Sequence, residues 1–282
     1  MKKTKCADAR TPTLWAQMRE KRIAFLAFWL LMGTALAVVV IGIVQRRWDN
    51  VFHGVLTAVF AFIPLLLQGL LRVRFPATLE ILAYLFVFAT QFLGEVADLY
   101  RLVPGWDAML HTVSGFMFAA LGFSLGESLH RNREMRFALS PMLLAVLAVC
   151  FSVSVGVLWE FFEVAADTVL HTDMQKDVLR DTLHTVSIPN ELGQKVTHLE
   201  GITTTVITTA DGRSTVLDGF LDMGVADTMK DLFLNTVGAL VFGVIGYFYV
   251  KNQGKGRFAA QFIPTLREQK TADADAPKAR KE

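Results

Sequence analysis

The chain has 282 residues, of which 53% are hydrophobic, 11% aromatic and only 19% charged; its mean hydropathy is +0.41. A soluble domain of this length needs more polar surface than that, so the composition places the chain among membrane proteins. The net charge of +2 conceals no dense basic stripe with interleaved aromatics, which argues against nucleic acid as a partner.

Residues 1–22 form a basic tail, expected in the cytoplasm. About 20 apolar residues are needed to cross the hydrocarbon core as a helix, and six runs qualify. Ile23–Val44 carries no charge; Ala35-Leu36-Ala37 resembles a signal-peptidase site, but the apolar run continues to Val44 and 22 residues precede it, so a retained span is expected. Val51–Leu71 is interrupted only by His53. Ala77–Tyr100 has its acids, Glu80, Glu95 and Asp98, near its ends. Asp107–Gly126 opens with Asp107 and His111. Phe137–Trp159 runs on into Glu160 and Glu163, and Leu232–Val250 is the sixth. The expected fold is therefore all-α: a six-helix transmembrane bundle over residues 23–250, since hydrocarbon cannot satisfy a bare backbone.

The only sizeable region outside the membrane lies between the fifth and sixth runs, as an insertion over 168–218. Thr203–Thr209 is β-branched, Ala210-Asp211-Gly212-Arg213 supplies a turn, and Ser214–Leu217 follows. That pattern predicts a small β-hairpin with a type I′ turn. Residues 251–282, rich in Lys, Asp, Ala and Pro after Gly254, are expected to be a disordered cytoplasmic tail. Cys6 and Cys150 fall on opposite sides of the barrier, so no disulfide is expected.

Orientation follows from the basic residues. With both termini inside, twenty Lys and Arg lie in cytoplasmic segments and eight outside. Trp48, Tyr100, Trp106 and Trp159 then mark the outer interface, with Trp15, Tyr247 and Tyr249 at the inner one. The insertion lies outside the cell membrane, and its flanks carry more acid than base: ten acids against four Lys and Arg over 164–227.

The acids fall into sets at helical spacing: Gln91, Glu95 and Asp98; Asp107 and His111; Glu160, Glu163 and Asp167; Asp227, Asp231 and Asn235. Residues three and four apart share a helix face. Given the alternating direction of the spans, all four sets fall at the outer ends. Acids facing lipid are costly, so these must face one another and need something positive. His111, His53 and Arg101 are the local cations that stand out. A metal ion, bound protons, or a shell of water and hydrogen bonds would each answer the need. Carboxylates with one imidazole suit Mg²⁺, Mn²⁺, Ca²⁺ or non-haem iron, and zinc less well without more histidines.

The strings Trp106-Asp107-Ala-Met-Leu-His111, Trp159-Glu160-Phe-Phe-Glu163, Asp173-Met-Gln-Lys-Asp177 and Leu221-Asp222-Met-Gly, followed by Asp227-Thr-Met-Lys-Asp231, occur in that order. On these the chain resembles the YjdF-like group of uncharacterised bacterial inner-membrane proteins over about 95–246, and more distantly VanZ-like membrane proteins. It departs from shorter relatives in the insertion. The resemblance implies a bacterial inner-membrane location and brings no activity with it.

The functional expectation is a metal-dependent membrane enzyme acting on a lipid or lipid-linked substrate. Its ligands would be Asp107, His111, Glu160, Glu163, Asp227 and Asp231, holding a divalent metal ion, with Glu95 or Asp98 as general base. No Gly-X-Ser-X-Gly string supports serine chemistry. The alternatives are a cation- or proton-coupled transporter and a structural or partner-binding protein. Outside the sets, His53 reads as interfacial, His130, His171, His184 and His198 as solvated, and Glu80 and Glu127 as interfacial charges.

Overall fold

A computed structural model describes residues 21–71, 73–131, 139–188, 196–254 and 256–266. The N-terminal tail with Cys6 and Trp15, and the chain beyond Leu266, lie outside the described residues. Among those described, six helical segments are long and apolar enough to cross a membrane. They are α1 (Arg22–Gln45), α2 (Trp48–Leu70), α3 (Ala77–Val87) with its continuation to Val96, α5 (Trp106–Arg131), α6 (Pro141–Leu170) and α7 (Val225–Lys251). A short α4 (Leu99–Leu102) links the third span to the fourth.

The boundaries have local causes. The fifth span begins at Pro141, because the Ser140 hydroxyl accepts from Leu143 N at 3.2 Å and Pro141 occupies the first turn; Phe137, where the apolar run starts, lies outside the described residues. Serine as N-cap and proline just inside it make a start signal. The third span changes pitch: Phe88–Val96 winds as a π-helix, a rare form concentrated at functional sites.

The helices form two groups. Phe28, Leu31, Ala61, Leu65 and Tyr84 bury one another where α1, α2 and α3 meet. The second core joins α5, α6 and α7 through Ala119, Phe123, Leu144, Ala148, Ala239 and Phe242. Val73, Phe75, Leu79 and Leu121 bridge the two groups near the end opposite the insertion. Large apolar side chains such as Leu30, Leu66, Leu158 and Phe233 remain exposed along the helices, as a lipid-facing surface requires.

The chain past α7 does not leave the bundle at once, as the tail expectation had it. Ala259 and Ile263 are buried in the second core, and Phe262 meets Phe116 edge to face at 5.2 Å. Strand β8 (Thr265–Leu266) then pairs antiparallel with β1 (Val73–Arg74) in the loop between the second and third spans. The apolar Ala259, Phe262 and Ile263 explain the difference: they give this short segment a face worth burying.

The insertion holds three antiparallel pairs. β2 (Val178–Arg180) pairs with β7 (Phe220–Asp222), β3 (Leu183–Thr185) with β4 (Thr197–Leu199), and β5 (Thr205–Thr208) with β6 (Ser214–Leu217). The last is the expected hairpin, but its turn differs. Thr209 N donates to Arg213 O and Gly212 N to Thr209 O, and within the loop only Gly212 has positive φ, at 84°. A type I′ turn would need positive φ at two central residues, whereas a three-residue loop with glycine in the left-handed region needs one. Asp211 ties the loop by accepting from Arg213 Nε at 2.7 Å and from the Thr209 hydroxyl. Those bonds hold its carboxyl below the usual range.

Candidate functional site

The site is set by how closely α5 and α7 cross. A Cβ on Gly115 would stand 2.0 Å from Asn235 O, and one on Gly238 would stand 1.9 Å from Thr112 O. No larger residue fits either position, so the two backbones touch. One to two turns away, toward the insertion, this contact brings Asp107 and His111 of α5 against Asp231 of α7.

His111 Nε2 lies 3.3 Å from Asp107 Oδ1 and 3.6 Å from Asp231 Oδ2. One ligand atom from each of Asp107, His111 and Asp231 falls within 4.8 Å of the others, the one such group of His, Cys, Asp and Glu among the described residues. Lys230 covers it from the exposed side. Its Nζ is 2.7 Å from Asp227 Oδ1, 3.0 Å from Asp107 Oδ2 and 3.5 Å from Asp231 Oδ1. The sequence reading counted Lys230 only toward orientation. Its position three residues after Asp227 and next to Asp231 was the signal for its role here.

Helix α6 supplies the third wall. Glu160 and Glu163 are both buried, and Trp159 Nε1 donates to Glu163 Oε1 at 2.8 Å. Thr228 and Gln175 lie beside the Glu160 carboxylate. Among the described residues two buried carboxylate oxygens, Glu160 Oε2 and Asp231 Oδ1, have no hydrogen-bond partner, the latter having only the Lys230 ion pair at 3.5 Å. Buried acceptors are normally satisfied, and each exception demands an explanation.

The Asp173–Asp177 string forms a strap between α6 and α7. Met174 N and Gln175 N donate to the two oxygens of Asp167 at 2.7 and 2.9 Å. Gln175 Nε2 donates to Thr228 Oγ1 at 2.7 Å, and Lys176 N to Asp227 Oδ2 at 3.1 Å. Asp167 thus anchors a loop, and Asp227 divides its carboxylate between the strap and Lys230. Partial burial, then the charges of Asp173, Asp167 and Asp222, push the Asp177 carboxyl up.

The acids of the third span do not join the group as drawn from α-helical spacing. The π-helix ends before Asp98, whose backbone is left-handed at φ 61° and whose Oδ2 pairs with Arg101 Nη2 at 2.9 Å. Asp98 is therefore turned to its own loop. Gln91 and Glu95 instead face α2: His53 Nδ1 is 3.1 Å from Gln91 Oε1, and His53 Nε2 is 3.7 Å from Glu95 Oε2. His53 is thus a partner of the third span, beyond its interfacial reading. Tyr100, read from sequence as an interfacial ring, packs on Gly94. Its phenol lies within electrostatic reach of Glu95, Asp107, Glu163 and Asp231; burial first, and then those charges, push its pKa well above the usual tyrosine range.

Beneath the site the polar character ends quickly. Ser152 Oγ lies 2.9 Å from Gly115 O and 3.3 Å from Asn235 Oδ1, and Asn235 Nδ2 reaches Ser114 Oγ at 3.5 Å. Below that layer come Ala119, Ala148, Ala239 and Phe242, all fully buried.

Six membrane-length helices, a lipid-facing apolar surface and buried acids at the insertion end define a polytopic membrane protein of the helical-bundle class. The chain belongs to the family described as "Predicted membrane protein (DUF2238)", which matches residues 26–252. No curated protein and no solved structure matches it.

Proposed function

We propose that this protein is a metal-dependent enzyme of the bacterial inner membrane, hydrolysing a lipid or lipid-linked substrate at the extracytoplasmic interface. The observation that carries the reading is the Asp107–His111–Asp231 group, whose ligand atoms lie within 4.8 Å of one another. Around it five carboxylates (Asp107, Glu160, Glu163, Asp227 and Asp231) face one ammonium and one imidazole; among the described residues Glu160 Oε2 has no hydrogen-bond partner and Asp231 Oδ1 has only the Lys230 ion pair at 3.5 Å. A divalent cation answers that excess, and two carboxylates with one imidazole suit a hard to borderline ion.

Asp107, His111 and Asp231 would hold the ion, which when bound supplies a polarised water and a Lewis acid. Glu160, whose Oε2 has no hydrogen-bond partner among the described residues, and Glu163, oriented by Trp159, would be the carboxylates available at the site as proton acceptors. Tyr100 is placed to donate a hydrogen bond to charge developing on a substrate oxygen. Glu95, held toward His53, reaches the group only through Tyr100, and Asp98 gives up the base role to Arg101 pairing. The excess of Lys and Arg in the remaining loops and tails supports placing this end outside. A transport path is disfavoured by the apolar layer of Ala119, Ala148, Ala239 and Phe242 beneath the site.

The test is metal content of the purified protein, with melting before and after chelation. Bound divalent ion, a melting temperature that falls on chelation and recovers on adding the ion back, and loss of that response in Asp107→Asn and Asp231→Asn are expected. A wild-type protein without metal, indifferent to chelator and to divalent ions, would overturn the reading.

A further inference from the structure

A second constellation lies in the insertion, apart from the acidic site. His184 and His198 are directly opposed across the antiparallel β3–β4 pair. Their rings approach to 4.7 Å between centroids, and the two Nδ1 atoms stand 2.7 Å apart. Both residues are exposed. The register that opposes them is pinned from both sides without their help: Ile202 N donates to Asp181 O at 2.8 Å, and the Thr197 hydroxyl to Ile188 O at 2.7 Å.

We propose that His184 and His198 chelate a late first-row divalent transition-metal ion such as Cu²⁺, Ni²⁺ or Zn²⁺. Imidazole is the side chain these ions favour. Metal–nitrogen bonds of about 2.0–2.1 Å put two nitrogens in adjacent coordination positions about 2.9–3.4 Å apart, so the observed pair needs to open by only a few tenths of an ångström. A directly opposed strand pair supplies that opening by side-chain rotation alone, because its backbones stay hydrogen-bonded. Without a metal the two nitrogens must share a single proton, since two Nδ1–H groups would collide, and that constraint vanishes when both lone pairs point at one cation. The exposed side leaves water to fill the remaining positions. The acid excess of the surrounding segment, ten acids against four Lys and Arg over 164–227, concentrates cations near it.

The experiment uses full-length protein in detergent and Cu²⁺ alone as the probe, with binding stoichiometry and electron paramagnetic resonance as readouts. Wild-type protein should give a Cu²⁺ signal whose nitrogen splitting reports two imidazoles. His184→Ala and His198→Ala should each weaken that binding at least tenfold and leave the melting temperature in place. Asp107→Asn and His171→Ala should keep the signal, which separates this site from the acidic group and from stray surface imidazole. Undiminished affinity in both histidine variants, a one-nitrogen signal in wild type, or loss of the signal in Asp107→Asn would each sink the proposal.

Discussion

The two ends of this bundle treat buried charge in opposite ways. At the end away from the insertion, Glu80 is buried but accepts from Lys21 Nζ at 2.7 Å, and Lys21 also donates to Phe75 O. Gln68 Oε1 accepts from Phe75 N at 3.0 Å while its Nε2 donates to Pro64 O at 3.2 Å. The charged Glu80 and the Gln68 amide are thus paired and fasten α1, α2 and the start of α3 together, while the neutral Tyr84 hydroxyl in the same core has no hydrogen-bond partner among the described residues. At the insertion end, several carboxylates crowd a single lysine; Glu160 Oε2 has no hydrogen-bond partner among the described residues, and Asp231 Oδ1 has only the Lys230 ion pair at 3.5 Å. A closed set of partners is what packing alone requires. Leaving a buried acceptor unpaired costs about 1–3 kcal/mol, and an unpaired carboxylate oxygen among like charges leaves room for a cation in a way that a neutral hydroxyl does not.

The contrast fails first if the helix crossing fails. Gly238→Leu would drive a side chain into the Thr112 carbonyl, and no flexible neighbour can yield. We expect a loss of about 3 kcal/mol or more, read as aggregation or a collapsed melting transition in detergent, at both ends alike. A Gly238→Leu protein with wild-type melting would mean that α5 and α7 do not cross there.

The next effect separates the ends. Lys230→Met removes the cation shared by Asp107, Asp227 and Asp231. The cost should be about 2 kcal/mol, below that of a fully buried pair because the ammonium is half exposed. If the proposed ion binds beside these acids, it should rescue melting more strongly in Lys230→Met than in wild type, since a competing ammonium is gone. Equal or weaker rescue would count against a shared site. Glu80→Gln should cost less, about 1 kcal/mol, because the amide still accepts from Lys21, and added divalent ion should restore none of it. Rescue there would erase the distinction between the ends.

How much of this was legible beforehand depended on range along the chain. The spans could be read because an apolar run of membrane length has few rival explanations, and the Asp107–His111 spacing could be read because one turn of α-helix fixes it. Lys230 was visible but misjudged: beside acids at one and three residues' distance it belonged to the cluster, yet it was weighed only for orientation. Asp98 was lost to the π-helix, since a pitch change inside an apolar run leaves no mark in residue spacing. The Lys21–Glu80 pair joins residues 59 apart, and His184 meets His198 only through a strand register. Both depend on tertiary geometry that no local pattern carries.

The smallest effect tests how the insertion is coupled to the site. Asp222 ends β7, opposite Val178, and its Oδ1 accepts from Val225 N at 3.0 Å and Ala226 N at 3.3 Å at the start of α7. It therefore caps the helix that carries Asp227, Lys230 and Asp231, and it does so from the strand that returns from the insertion. Removing such a cap costs about 1 kcal/mol. Asp222→Ala should lower the melting temperature by a few degrees and raise hydrogen exchange at the amides of residues 225–228, with exchange in the apolar half of α7 unchanged. Because the strap residue Lys176 binds Asp227 in the first turn of that helix, exchange at Lys176 should rise with it. If the α7 amides loosen while Lys176 stays protected, the strap is held by Asp167 and Thr228 alone, and the insertion and the helix start are independent.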